Sequence, residues 1–192
     1  MSFYKNWMSY IRDDAKITRI AMPGSHNSAT MAMNKFACCQ KGTLYEQYCY
    51  GLRMFDIRLK ANKKGELIVA HGVMNGISAE RAFLDLKRII DETDEFIIIG
   101  LRTYMNQKIG PVKLSYDGNS AETSRLIRTC LNPEKYALTD ISDIANLTLG
   151  DIRKSGKKYI IINENAEYDY SVNCTMPYPW ESDVYGYKPE KF

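Results

Sequence analysis

The chain holds only two histidines, and each follows a short apolar run. His26 lies in MPGSHNSAT (22–30), a string of turn formers after ITRIAM (17–22). His71 lies in IVAHGV, directly after LIVA (67–70) and before a glycine. Between them, Asp56 and Arg58 stand two residues apart inside LRMFDIRL (52–59). In a strand this spacing puts both side chains on one face. A charged pair in such a segment is costly unless its members pair or meet a ligand. Unperturbed imidazole titrates near neutral pH, so two histidines can act as general base and general acid. A guanidinium between them can hold a phosphate oxygen and stabilise the charge that grows there, and a nearby aspartate can orient it. Base, acid and guanidinium suit cleavage of a phosphodiester by an internal hydroxyl, with no metal and no cofactor. A metal-dependent design would place carboxylates where Arg58 stands. Singly, each residue has a plain structural explanation, as a turn, a loop histidine or an internal ion pair. The joint arrangement is what points to a site.

Strands and helices must carry these groups. The runs at 17–22, 52–59, 67–70, 96–101 and 159–162 are rich in Ile, Val, Phe and Leu and too short for helices, so they read as about five buried strands. Helices are expected between them. Thr43 and Glu46 have capping-box spacing, and Gly51 stands where that helix would end. Ser78 is placed as an N-cap, followed by Ala82, Phe83, Leu86, Ile89 and Ile90 on one face. SAETSRLIRTCL repeats the pattern with Leu126, Ile127, Cys130 and Leu131, and TLGDIRK is a short helical turn before the last strand. Alternation of strand and helix implies an α/β fold with a parallel sheet. Sites in such folds lie at the C-terminal strand ends, where the polar groups fall. ANKKGE reads as a solvated hairpin-like turn, and 166–192 as a long Tyr- and Pro-rich loop attached to a single domain.

Composition narrows the classes further. At 192 residues one domain is the default. A net charge of +3 without a dense basic cluster argues against nucleic acid as a partner. No stretch approaches the ~18–20 apolar residues of a membrane-spanning helix, and MSFYKNWMSY lacks the apolar core of a signal peptide. Five cysteines without framework spacing leave a Cys38–Cys49 or Cys39–Cys49 bridge and free thiols both open. No CxxC pair suggests zinc.

At these residues the chain resembles the catalytic X-region of the bacterial phosphatidylinositol-specific phospholipase C family. The likeness is carried in order over about 17–165 by MPGSHNSAT, YEQYCYGLRMFDIRLK (45–60), AHG (70–72), FIIIGLR (96–102) and TLGDIRKSGKKYIII (148–162). The resemblance implies a distorted TIM-type (β/α) barrel, incomplete here because only about five strands are visible and a full barrel has eight. It implies that His26 takes the proton of the inositol 2-hydroxyl and that His71 protonates the departing diacylglycerol oxygen. Arg58 would stabilise the phosphate, and Asp56 would position Arg58 and assist proton transfer. The first product would be a cyclic inositol phosphate. Asn27, Arg102 and Glu164 fall where headgroup contacts are expected. Asn27 replaces a frequent Asp and cannot supply charge to His71, and Glu164 stands near the place of a basic residue. The acid that orients the first histidine comes from a late strand of the family, which has no counterpart here. The implied partners are an inositol phospholipid and a peripheral membrane surface, at a secreted or cell-surface location, with the aromatic tail (Tyr168, Tyr170, Tyr178, Trp180, Tyr185, Tyr187) either at the interface or packed on the sheet. A second chain could complete the barrel. Two other readings are a catalytically weak headgroup- or glycan-binding module and a metal-dependent glycerophosphodiesterase or phospholipase D-like enzyme. Asn27, Glu164 and the missing strands favour the first, and Arg58 argues against the second.

Overall fold

A computed structural model describes residues 3–109, 112–163 and 168–173. In chain order its strands are β1 (Gly24–Ser25), β2 (Met54–Ala61), β3 (Leu67–His71), β4 (Met74–Ser78), β5 (Ile97–Arg102), β6 (Tyr104–Ile109), β7 (Val112–Asp117), β8 (Tyr159–Asn163) and β9 (Ser171–Asn173). The helices are α1 (Leu44–Cys49), α2 (Ala79–Glu92), α3 (Ser120–Leu131), α4 (Pro133–Tyr136) and α5 (Leu149–Ser155). Seven strands form one open sheet in the order β4-β3-β2-β5-β8-β9, with β1 also paired to β2. β6 and β7 make a separate antiparallel hairpin. The architecture is a distorted, incomplete α/β barrel.

Three expectations change. The run at 17–22 is not a strand. Ile17–Arg19 is one turn of 3-10 helix, held by Ile17 N–H donating to the Leu147 carbonyl at 2.9 Å. The first strand is only Gly24–Ser25, and it lies so close to β2 that a Cβ on Gly24 would stand 2.9 Å from Met54 Cβ. Nor is the sheet wholly parallel. β1, β5, β8 and β9 run parallel to their neighbours, whereas β3 and β4 are antiparallel. Loop length is the cause, because 62–66 is too short for a crossover and can only turn the chain back. Lastly, the stretch after 166 contains strand β9, and Tyr168 is buried in the core rather than lying at an interface. Glu164, Cys174, Tyr178, Trp180, Tyr185 and Tyr187 lie outside the described residues.

The helix starts follow their local signals. Thr43 and Glu46 form the capping box of α1, Ser78 caps α2, and Thr148 and Asp151 box α5. α3 is capped by Asn119, one residue before the expected Ser120. The sheet has two unlike faces. Phe55, Ile57, Leu59, Ile99, Leu101 and Ile161 pack with Ala82, Phe83, Leu86 and Ile90 of α2 and with Leu126 and Ile127 of α3. On the other face Met54, Ile98, Ile160 and Ile162 line an open apolar cleft of about 330 Å³. Farther along β2 that same face carries Asp56 and Arg58. Cys38, Cys39, Cys49 and Cys130 are free thiols, so neither bridge to Cys49 forms.

Candidate active site

β2 positions the charged pair because its edge is shared. β1 runs along Met54 and Phe55, and β3 takes over only at Leu59. Between them Ser28 occupies the edge of Asp56. Its N–H donates to the Asp56 carbonyl at 2.7 Å, and its hydroxyl accepts the Asp56 N–H at 2.8 Å. To get there the chain turns through Asn27, whose φ of 49° is left-handed. That turn swings His26 over the strand. Buried Gln47 of α1 fixes the loop, donating to the Ser28 carbonyl at 2.7 Å and accepting the Ser25 hydroxyl at 2.6 Å. Gln40 donates to the His26 carbonyl at 3.0 Å.

Asp56 Oδ2 is the hub. His26 Nδ1 lies 2.8 Å away, the Asn27 N–H donates from 3.1 Å and Arg58 Nη2 from 3.3 Å. Burial pushes the Asp56 carboxyl upward. The His26 hydrogen bond, the Arg58 charge and the Asn27 N–H outweigh it, so the group is held below its ordinary value. Asp56 thus stands against the ring of His26, the arrangement in which a carboxylate orients an imidazole. The His26 ring thus faces the Asp56 carboxylate through Nδ1 and the Asn27 carboxamide, 2.8 Å away, through Nε2.

His71 arrives by a different route from the one expected. It ends β3, which runs antiparallel to β2, so the strand carries it back toward Arg58 from the far end of the hairpin. Its Nδ1 donates to the Ala37 carbonyl at 2.8 Å. In His71, as in His26, Nδ1 is bonded to a protein oxygen. Lys60, on the same face of β2 as Arg58, donates to the Val73 carbonyl at 2.8 Å and anchors the turn that follows His71. Arg102 is the in-register neighbour of Arg58 across β5. His26, Asn27, Asp56 and Arg58 are therefore in mutual contact, Arg102 is beside them in the sheet, and His71 is linked through the loop at 37–39. Sequence reasoning missed Ser28, Gln40, Gln47, Cys39 and the Ala37 carbonyl. Gln47 did leave a signal, a polar residue beside Tyr48 on the buried side of a short helix. Among the described residues no three His, Cys, Asp or Glu side chains gather as a metal-binding group, and no helix is long and apolar enough to cross a membrane.

No family model matches the chain. A 1-phosphatidylinositol phosphodiesterase of Staphylococcus aureus (strain Newman) is 29% identical over 125 residues, 62% of this chain and 37% of that protein. A PI-PLC X-box domain-containing protein of Dictyostelium discoideum is 26% identical over 119 residues, 50% of this chain and 16% of that protein. The chain spans little more than a third of the length of the Staphylococcus relatives it matches, 37% and 35%. Among solved structures, a phosphatidylinositol-specific phospholipase C of S. aureus superposes with a TM-score of 0.62 at 22% identity, covering 88% of this chain and 56% of that one. The corresponding enzyme of Listeria monocytogenes gives 0.58 at 22% identity, over 84% and 57%. A calcium-dependent phosphoinositol-specific phospholipase C of a Pseudomonas species gives 0.57 at 13% identity, over 85% and 62%. The structures speak for the fold and the curated relatives for the sequence, and in both respects the chain resembles the bacterial phosphatidylinositol-specific phospholipase C family.

Proposed function

We propose that the chain cleaves the phosphodiester bond of phosphatidylinositol or a related inositol phospholipid, without a metal, by general acid–base catalysis from two histidines. The observation that carries this reading is the single carboxylate oxygen of Asp56 that holds both His26 Nδ1 and Arg58 Nη2. In the proposed reaction His26 Nε2 takes the proton of the inositol 2-hydroxyl. The freed oxygen attacks phosphorus, and the bond from phosphorus to the glycerol oxygen breaks. His71 gives its Nε2 proton to that oxygen, releasing diacylglycerol and leaving a cyclic inositol phosphate. Arg58 neutralises the phosphate charge as it builds. The guanidinium supports the metal-independent version, because it occupies the place beside Asp56 that a cation would need. The names of the curated relatives support the substrate class. Arg102 and Asn27, with Glu164, are the proposed headgroup contacts, and the lipid is met at a membrane surface by a secreted or cell-surface protein.

The test is release of cyclic inositol phosphate from phosphatidylinositol vesicles, followed by phosphorus NMR with excess chelator. Cyclic product is expected, and His26→Ala or His71→Ala should lower turnover by ~10²-fold or more. Binding of inositol phosphate by a folded chain without turnover would overturn the reading in favour of a headgroup-binding module. Product formed only when metal is restored would overturn its metal-independent part.

A further inference from the structure

We infer that Asn27 and Cys39 form a bridge that couples the two histidines, so that both are positioning residues for the reaction; the inference rests on the acid–base reading above. Asn27 Nδ2 lies 2.8 Å from His26 Nε2, the nitrogen that must accept the proton. The same Nδ2 lies 3.5 Å from Cys39 Sγ, and that sulfur is 3.7 Å from His71 Nδ1. A carboxamide nitrogen carries two hydrogens. Here one points at each side of the site. The Cys39 thiol reaches the Ala37 carbonyl at 3.8 Å, the acceptor that also takes His71 Nδ1–H. A second link ties the two bridging residues through their backbones. The Thr30 hydroxyl donates to the Asn27 carbonyl at 2.8 Å and accepts the Cys39 N–H at 2.9 Å. Asn27 is only 2% exposed, and its own N–H is spent on Asp56. The Asn27 end of the bridge is therefore built into the interior, and the Cys39 end lies at the surface.

Its chemistry follows from donors and acceptors. While Nδ2 donates to Nε2, it marks the lone pair of that nitrogen and holds the ring in place. Once Nε2 carries a proton, donor faces donor. Asn27 Oδ1 is buried and has no hydrogen-bond partner among the described residues. A half-turn of the carboxamide brings that oxygen to Nε2–H and withdraws Nδ2–H from the thiol. Protonation of His26 is thereby felt at Cys39 and passed to His71. The other charged groups facing His26 are Asp56 and Arg58, both from β2.

Imidazole NMR of the intact chain through a pH titration tests this without substrate. The His71 ring signals are expected to show a second inflection at the midpoint of His26. Cys39→Ala should erase that inflection and leave the His26 titration in place, while Cys39→Ser should keep part of it. Cys39 is exposed and in ordinary backbone, so these variants disturb the fold least. On vesicles, Cys39→Ala should lower kcat several-fold with KM unchanged, and adding Asn27→Ala should cost nothing beyond Asn27→Ala alone. A His71 signal indifferent to Cys39→Ala, or additive losses in the double variant, overturns the bridge. If the wild type turns nothing over, the acid–base reading fails, and the NMR cross-titration still decides the bridge by itself.

Discussion

Asp56 concentrates the chemistry of this site in one atom. Oδ2 serves the His26 ring, the Arg58 guanidinium and the Asn27 amide, while buried Oδ1 has no hydrogen-bond partner among the described residues. Asp56→Asn keeps the shape and removes the charge. It leaves His26 free to choose the wrong tautomer and the guanidinium without its counter-charge. Turnover on phosphatidylinositol vesicles should fall by ~10²- to 10⁴-fold, in line with an aspartate that orients a catalytic histidine. The same variant separates charge from shape in stability. The carboxyl is held below its ordinary value of 3.8, so its ionised form stabilises the fold at neutral pH. That contribution is complete above the ordinary carboxylate range and is lost as pH falls through the lowered value. Melting curves of wild type and Asp56→Asn should differ most near neutrality and converge in acid. A gap that stays constant down to the acid limit would assign the effect to packing instead.

At the scale of elements, the short helix α1 decides whether the histidine loop holds. Gln47 Nε2 donates to the Ser28 and Gly42 carbonyls, and Oε1 accepts from Ser25. Gln47→Leu fills the space and removes the Gln47 partner from three groups, of which the Ser28 carbonyl is buried, at about 1–3 kcal/mol for each that water cannot reach. The expected outcome is a lower denaturation midpoint together with a fall in kcat larger than the rise in KM. Wild-type kcat in a destabilised variant would show that the loop keeps its shape without α1. What could be read in advance divides along the same line. Helix caps at Thr43 and Ser78 were legible because capping is decided within four residues. The face shared by Asp56 and Arg58 was legible because strand alternation is local. β1 was not legible, since two residues become a strand only through the close approach of Gly24 to Met54, far along the chain. The route of His71 was half legible. Its place at a strand end could be read, and so could the hairpin-like turn at ANKKGE that reverses the chain, but the expected parallel sheet did not take that reversal into account. Cys39 and the Ala37 carbonyl reach His71 from a loop without periodicity, where no local pattern marks a partner.

Across the whole molecule, β2 carries the charged site and, at its start, a second polar cluster whose role is structural. Arg53 is fully buried just before the strand begins. Its side chain donates to Glu95 through Nε and Nη2, to the Tyr48 and Leu52 carbonyls through Nη1, and to the Lys5 carbonyl through Nη2. Every one of the five guanidinium hydrogens has an acceptor. The Tyr48 ring lies 4.3 Å from the guanidinium carbon, and Glu95 also accepts the Ser9 N–H at 3.1 Å. One residue thereby joins the N-terminal 3-10 segment (Phe3–Tyr10), α1, β2 and the approach to β5. Removing either partner strands the other charge in the core, at about 3–5 kcal/mol. Replacing both with apolar residues strands neither. Arg53→Met and Glu95→Met should therefore each shift urea unfolding strongly, and the double variant should lose less than the sum. Arg53→Lys should not rescue, because an ammonium cannot reproduce the five-donor fork. Since Arg53 faces the helices and Asp56 and Arg58 stand on the opposite face of β2, turnover per folded molecule should be unchanged in all of these variants. Strict additivity in the double variant would mean that the two side chains stabilise the fold independently. The carbonyls around Arg53, rather than Glu95, would then be what holds the base of the sheet together.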